Sequence, residues 1–175
     1  MFEMSYNELE ERLRRLDEDA YLTYGVGERL HLVIVGGSAL ILGSYIDKAT
    51  HDLDALSASS ALSMLLEKYD INSRVQTYIN NFPYNYEDRL VLFLKGRAID
   101  FFTASLEDIV VAKLYSMRPV DKSDIEANEV VNNINWSLLE KLVFDEDEAK
   151  ASALNDKNYM DLVANYKEYA RKHKP

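Results

Sequence analysis

Cysteine is absent from the 175 residues, which excludes disulfides and thiolate metal ligands and says nothing about compartment. Long hydrophobic runs are absent too: none approaches the ~20 apolar residues of a helical membrane span. The opening MFEMSYNELEERL is acidic and amphipathic, unlike a secretory leader, so a cytoplasmic protein with no membrane contact is expected. Positive charge is in short supply, with 20 Lys and Arg against 30 Asp and Glu and a net charge of −10. Most nucleic-acid affinity comes from basic side chains neutralising phosphates, so this balance excludes DNA as a partner and disfavours RNA. A small nucleotide carried by a divalent cation stays compatible, because the cation bridges carboxylates and phosphates. The short basic run Arg171 to Lys174 reads as a solvated helix end. What remains is a foldable composition, 47% hydrophobic and 29% charged, of a length suited to one domain with a small helical appendage.

Periodicity divides the chain. Ser5 and Glu8 form a capping box for a helix with Leu9, Leu13, Leu16 and Ala20 on one face, ended by Gly25 and Gly27. Leu30 to Val35 reads as a buried strand, broken by Gly36-Gly37, after which Ser38 to Leu42 opens a short helix. Asp52 to Leu56 alternates as a second strand, and Ser59 or Ser60 caps a helix reaching Tyr69. Residues 71–88 are the least readable, with a helical piece from Arg74 to Asn81 and a turn at Asn80 to Pro83. Arg89 to Lys95 and Arg97 to Thr103 form a hairpin through Gly96. Ser105 caps a helix running to about Met117, Pro119 interrupts it, and residues 121–134, 136–144 and 157–173 read as helices. The acidic Asp145 to Glu148 links the last two. The order of elements argues for an α/β or α+β fold, with a core over residues 1–118 and a helical extension over residues 119–175.

The chemistry concentrates at three places. Residues i and i+2 of a strand share a face, so Asp52 and Asp54 stand side by side while Leu53 turns to the core. Adjacent carboxylates stay ionised comfortably when solvated or when a cation lies between them, and oxygen-only ligands suit a hard ion such as Mg²⁺. Asp100 is a lone carboxylate amid Ala, Ile and Phe and is costly to bury without a partner. If its strand lies beside Asp52 to Leu56, Asp100 completes a three-carboxylate cup for one or two metal ions. A strand ending in Gly36-Gly37 and opening into a helix lets backbone N–H groups approach phosphates, with the Ser38 hydroxyl as a further donor. Lys113 stands alone in the apolar run Ile109 to Tyr115, where a lysine must snorkel or meet an anion. By alternation His51 faces away from the carboxylates and Thr50 shares their face. Tyr84 and Tyr86 are expected to cover the sheet, and Trp136 to lie in the core.

Gly36-Gly37-Ser38, then Asp52-Leu53-Asp54, then Asp100 in a later strand resemble the signature of the nucleotidyltransferase fold shared with DNA polymerase beta. Further on, SLEDIVVAKL and RPVDKSDI are similar to the later motifs of abortive-infection-type nucleotidyltransferases of bacterial toxin–antitoxin systems and their short uncharacterised relatives. The resemblance covers roughly residues 30–125. It implies a mixed sheet flanked by helices and transfer of a nucleoside monophosphate from an NTP to a hydroxyl. It implies two Mg²⁺ ions, with Mn²⁺ as the alternative, on Asp52, Asp54 and Asp100. Gly36, Gly37, Ser38 and Lys113 are then expected at the triphosphate, and Asp121, followed by Asp124, at the active site. The acceptor is a protein, an RNA end or a small molecule, and a toxin–antitoxin partner protein is expected. Two other readings follow from the same residues: a catalytically inactive member serving as an interaction partner, and a phosphodiesterase using the same carboxylates.

Overall fold

Ser5 starts the first helix as the spacing predicts. Its backbone N–H donates to Glu8 Oε2 at 2.7 Å, and α1 runs over Tyr6–Tyr24. Leu9, Leu13, Leu16 and Ala20 are fully buried on one face, and each leucine contributes about 1.5–3 kcal/mol of burial. The computed structural model describes residues 2–25 and 27–175, with the backbone alone for residues 75–77.

The chain divides into two units. The first comprises Met1–Gln76 and Leu90–Ala104, the second Thr77–Arg89 and Ser105–Pro175. The division therefore falls after Ala104, upstream of the boundary at residue 118 that motif order suggested. The helix starting at Leu106 packs with the helices that follow it.

In the first unit, β1 (Leu30–Val35) is a central strand. The sheet order is β2-β1-β4-β3, with β2 at Asp54–Ala58, β3 at Val91–Lys95 and β4 at Ile99–Thr103. β1 runs antiparallel to β2 and parallel to β4, and β3 and β4 form the expected hairpin. The second strand begins two residues later than its alternation suggested, leaving Asp52 just before it. α2 (Gly36–Leu42) follows β1 directly and packs on it and on α1. Ser60–Leu62 is a 3₁₀ turn leading into α3 (Ser63–Lys68), and Arg74–Asn81 is also 3₁₀.

The hairpin turn is gripped from both sides. The buried Asp17 of α1 accepts three backbone N–H groups, from Arg97 at 2.8 Å and from Ala98 and Ile99 at 2.9 Å. Arg29 donates to the Gly96 and Arg97 carbonyls at 2.9 and 2.8 Å. A carboxylate thus satisfies the donors of the turn and a guanidinium its acceptors, which fixes where β4 begins.

In the second unit, α4 (Leu106–Ser116) is capped by Ser105, whose hydroxyl accepts from the Asp108 N–H at 3.1 Å. α5 (Pro119–Glu126) begins at Pro119, whose fixed φ and missing N–H suit a first helical position. The helix expected over residues 121–134 is broken at Ala127, beyond which α6 (Asn128–Asn133) starts. α7 (Trp136–Phe144), a four-residue α8 (Ala149–Ser152) directly after the acidic Asp145 to Glu148, and α9 (Asp156–His173) complete the unit. α4 packs against α5, α7 and α9 through the buried Ile109, Val110, Val111 and Leu114. Trp136 is half-buried against Tyr169, with ring centroids 5.5 Å apart, rather than in the core. Tyr86 is buried beside Phe82, whereas Tyr84 is exposed. Arg89 joins two carboxylates as a clasp, at 2.9 Å to both oxygens of Asp108 and 3.0 Å to both of Glu148. Burial opposes the Arg89 charge, but the two carboxylates outweigh it and raise its pKa. Burial also raises the pKa of Asp108, against the hydrogen bonds from Arg89 and Ser105.

Candidate active site

The end of β1 builds the first part of the site. Val35 is extended and Gly36 turns to φ +70, a left-handed value that glycine adopts without strain. A side chain here would also press on the site: a Cβ on Gly36 would lie 3.3 Å from Asp54 Oδ2, so the carboxylate would have to give by a few tenths of an ångström. Val35 and Asp54 are register partners across β1 and β2, which is why the carboxylate reaches the glycine. The structure therefore joins Gly36 and Asp54, residues separated by a short helix and a loop. Asp52 lies just outside the strand and is exposed, Leu53 is buried, and Asp54 is half-exposed, so the alternation holds through this segment. The Asp52 N–H donates to Thr50 Oγ1 at 3.3 Å. Thr50 thus contacts the Asp52 backbone, where its place on the carboxylate face had suggested a carboxylate contact. His51 is exposed and sits 3.4 Å from Glu3. Gly37 is half-buried in the first turn of α2.

Ser38 is arranged differently from its expected part as a phosphate donor. It is buried at 1% exposure, and its hydroxyl donates to the Val35 carbonyl at 3.0 Å, stitching the strand to the helix.

Asp100 is not brought to the other two carboxylates, and this corrects the expected three-carboxylate cup. On β1 its register partner is His31, while Asp54 is opposite Val35. The two aspartates therefore flank opposite ends of β1, about 13 Å apart along the strand and two strand spacings apart across it. Asp100 meets Arg29 instead in an ion pair. Arg29 holds its carboxyl below the usual carboxylate range, and burial opposes this to a lesser degree. Among the described residues no group of three or more His, Cys, Asp or Glu side chains is placed to hold a metal ion. A two-ion site on three carboxylates does not fit this arrangement. Asp52 and Asp54 remain as a pair of carboxylates in neighbouring positions of one segment, and Mg²⁺ commonly takes one or two carboxylates and fills its remaining positions with water and substrate phosphates.

Lys113, Asp121 and Asp124 come together in the second unit. Lys113 Nζ lies 2.9 Å from Asp121 Oδ1 and 2.9 Å from Asp124 Oδ2, all three side chains being buried. Arg118 Nε donates to Asp121 Oδ2 at 2.7 Å, and the Ser116 hydroxyl donates to the same oxygen. Burial by itself would raise the Asp121 pKa, but the bonds from Arg118, Ser116 and Lys113 prevail and lower it to about 2. Lys113 does meet an anion, as its isolated place in an apolar run required, but the anions belong to this chain.

Sequence reasoning missed Asn72, whose carboxamide donates to Asp54 Oδ1 at 3.0 Å. It falls in the segment with the weakest pattern, and an asparagine after Ile71 carries no periodic signal. Arg29 was missed as well. A lone carboxylate in a strand asks for a partner, but the sequence does not single out an arginine 71 residues away.

The chain belongs to the family described as "Nucleotidyltransferase of unknown function (DUF6036)", which matches residues 11–174. No curated protein and no solved structure matches it. Among the described residues no helix is long and apolar enough to cross a membrane.

Proposed function

We propose that the chain binds a nucleoside triphosphate through one divalent cation, Mg²⁺ or Mn²⁺, held by Asp52 and Asp54, and transfers the nucleoside monophosphate to a hydroxyl acceptor. The observation that carries this reading is the Asp54 carboxylate seated against Gly36 in a chain matched to a nucleotidyltransferase family. Asp54 contributes the oxygen beside Gly36, and the exposed Asp52 contributes a second ligand from the loop edge. Gly36, having no side chain, leaves room beside that carboxylate. The cation supplies charge neutralisation on the triphosphate and polarisation of the phosphoryl oxygens. The acceptor oxygen bonds to the α-phosphorus as the α–β bridging P–O bond breaks, pyrophosphate leaves, and the hydroxyl proton passes to water. The acidic net charge favours a protein or small-molecule acceptor over RNA. A role in a toxin–antitoxin pair rests on the motif resemblance of Lys113, Asp121 and Asp124.

A second reading has its own support. Asp100 and Lys113, expected at the metal and the triphosphate, are both engaged in ion pairs within the chain. This favours a member that binds a nucleotide or a partner protein without transferring anything. Calorimetric titration of ATP, CTP, GTP and UTP with Mg²⁺, on the native chain and on Asp52→Ala/Asp54→Ala, tests both. Mg²⁺-dependent binding lost in the double variant is expected, and its absence in the native chain would rule out the transferase. Labelled NTP incubated with lysate then separates transfer from binding alone and from hydrolysis.

A further inference from the structure

Asn72 meets Asp54 through both backbone and side chain. The two residues form a parallel bridge in which the Ala55 N–H donates to the Asn72 carbonyl at 2.9 Å and the Asn72 N–H donates to the Leu53 carbonyl at 2.9 Å. These bonds clamp the chain on either side of the Asp54 backbone. The side chain adds a third link, with Nδ2 donating to Asp54 Oδ1 at 3.0 Å. The other end of the amide is fixed too, because Asn72 Oδ1 accepts from the Arg74 N–H at 3.1 Å. A flipped amide would set oxygen against the carboxylate and nitrogen against an N–H donor, losing both bonds at once. The orientation is therefore decided by chemistry on two sides.

We propose that Asn72 is the positioning residue of the cation site, orienting the Asp54 carboxylate before any ion arrives. This rests on the reading of Asp52 and Asp54 as that site. The amide holds Oδ1, and Oδ2 is the oxygen turned to Gly36. A carboxylate free to rotate loses that freedom on binding an ion, whereas one already held does not. Partners in the outer shell act in this way on metal affinity. Asn72 is not itself a ligand in this arrangement, since its amide oxygen faces the Arg74 N–H. Asp100, by contrast, is locked to Arg29 at the other end of β1 and has no part in the site.

The test titrates Mn²⁺ alone, and Mn²⁺ with a non-hydrolysable ATP analogue, reading free Mn²⁺ by electron paramagnetic resonance. The expected result for Asn72→Ala is a Kd for Mn²⁺ about ten-fold weaker than native, at the lower end of what outer-shell substitutions cost, with an unchanged circular dichroism spectrum. Asp100→Asn is expected to bind Mn²⁺ as the native chain does. Asn72→Asp covers the case in which Asn72→Ala does not fold. It sets a carboxylate against a carboxylate, so Mn²⁺ should raise its Tm by more than it raises the native Tm. Native-like Mn²⁺ affinity in Asn72→Ala, or a native-like Tm response in Asn72→Asp, overturns the inference. If the native chain binds no Mn²⁺, or Asp52→Ala/Asp54→Ala binds it as well as the native chain, the underlying cation-site reading fails instead.

Discussion

Gly36 carries two constraints at one position, a left-handed backbone and a carboxylate within van der Waals reach of where a Cβ would sit. Replacing it with alanine should cost about 1–2 kcal/mol from the backbone alone. The same methyl presses on Asp54 Oδ2, so Mn²⁺ binding should weaken together with stability. Urea unfolding and Mn²⁺ titration of Gly36→Ala check both, and a variant as stable as the native chain would contradict the stated conformation. At Gly96 the constraint is purely one of space. An added Cβ would fall 2.3 Å from Asp17 Oδ1, too close for the carboxylate to keep its three N–H partners. Asp17→Ala should remove about 3 kcal/mol, because backbone donors in a part-buried turn lose a charged acceptor together. Denaturant melts should place Gly96→Ala and Asp17→Ala close to one another, and the double variant should cost clearly less than their sum, since both break the same contact.

At the scale of elements, the α4–α5 corner is held by charge. Asp121 has its pKa lowered to about 2, below the value near 3.9 of an unfolded aspartate. A depressed carboxylate pKa adds stability that is present above the unfolded value and is lost as pH falls through the folded one. Between pH 4 and pH 2 the native chain should therefore lose stability that Asp121→Asn does not lose. Thermal melts across that interval should show the gap between the two narrowing as acid is added. A gap constant with pH would mean that the Lys113 and Arg118 bonds do not depend on the Asp121 charge. Lys113→Met should be more damaging, by about 3–5 kcal/mol, because it removes the buried cation that Asp121 and Asp124 share. The same corner contains Met117 at φ 44, in the left-handed region, where α4 ends. Met117→Gly should stabilise the chain by about 1 kcal/mol if the side chain's packing is dispensable, and chemical denaturation measures it.

At the scale of the whole molecule, the net charge of −10 sets the balance between attraction and repulsion. Surface ion pairs such as Arg14–Glu10, Arg15–Glu11 and Lys157–Asp161 are exposed pairs within single helices, each worth only about 0–1 kcal/mol. The excess of negative charge acts over the whole surface and is screened within about 8 Å at physiological salt. Stability should therefore rise between low and physiological ionic strength, as repulsion is screened faster than weak pairs are lost. A fall on adding NaCl would show that the pairs outweigh the net charge.

The sequence by itself determined what depends on neighbours a few residues away. The capping box of α1, the Ser105 cap of α4, the apolar stripe of α1, the strand that ends in glycine and the helix start at Pro119 are written in patterns reaching no further than i+4. The resemblance of its motifs set Gly36-Gly37-Ser38 and Asp52-Leu53-Asp54 in one site, and the pairing of Val35 with Asp54 is what brings Gly36 to that carboxylate. Tertiary structure decided the rest. Asp100 looked like a third ligand because its strand was expected beside the second one, yet β4 pairs on the other side of β1, with Asp100 opposite His31. Arg29 and Asp17 help to hold that register, 67 to 71 and 80 to 82 residues away from the groups they bind. Lys113 announced that it needed an anion but not which one, and Asp121 and Asp124 answered through a helix corner. Asn72 gave no signal at all, since an amide becomes a positioning group only when folding sets a carboxylate 18 residues away in sequence beside it. Local propensity is summed along the chain, whereas strand register and buried charge pairs are chosen by the free energy of groups that meet only once the chain has folded.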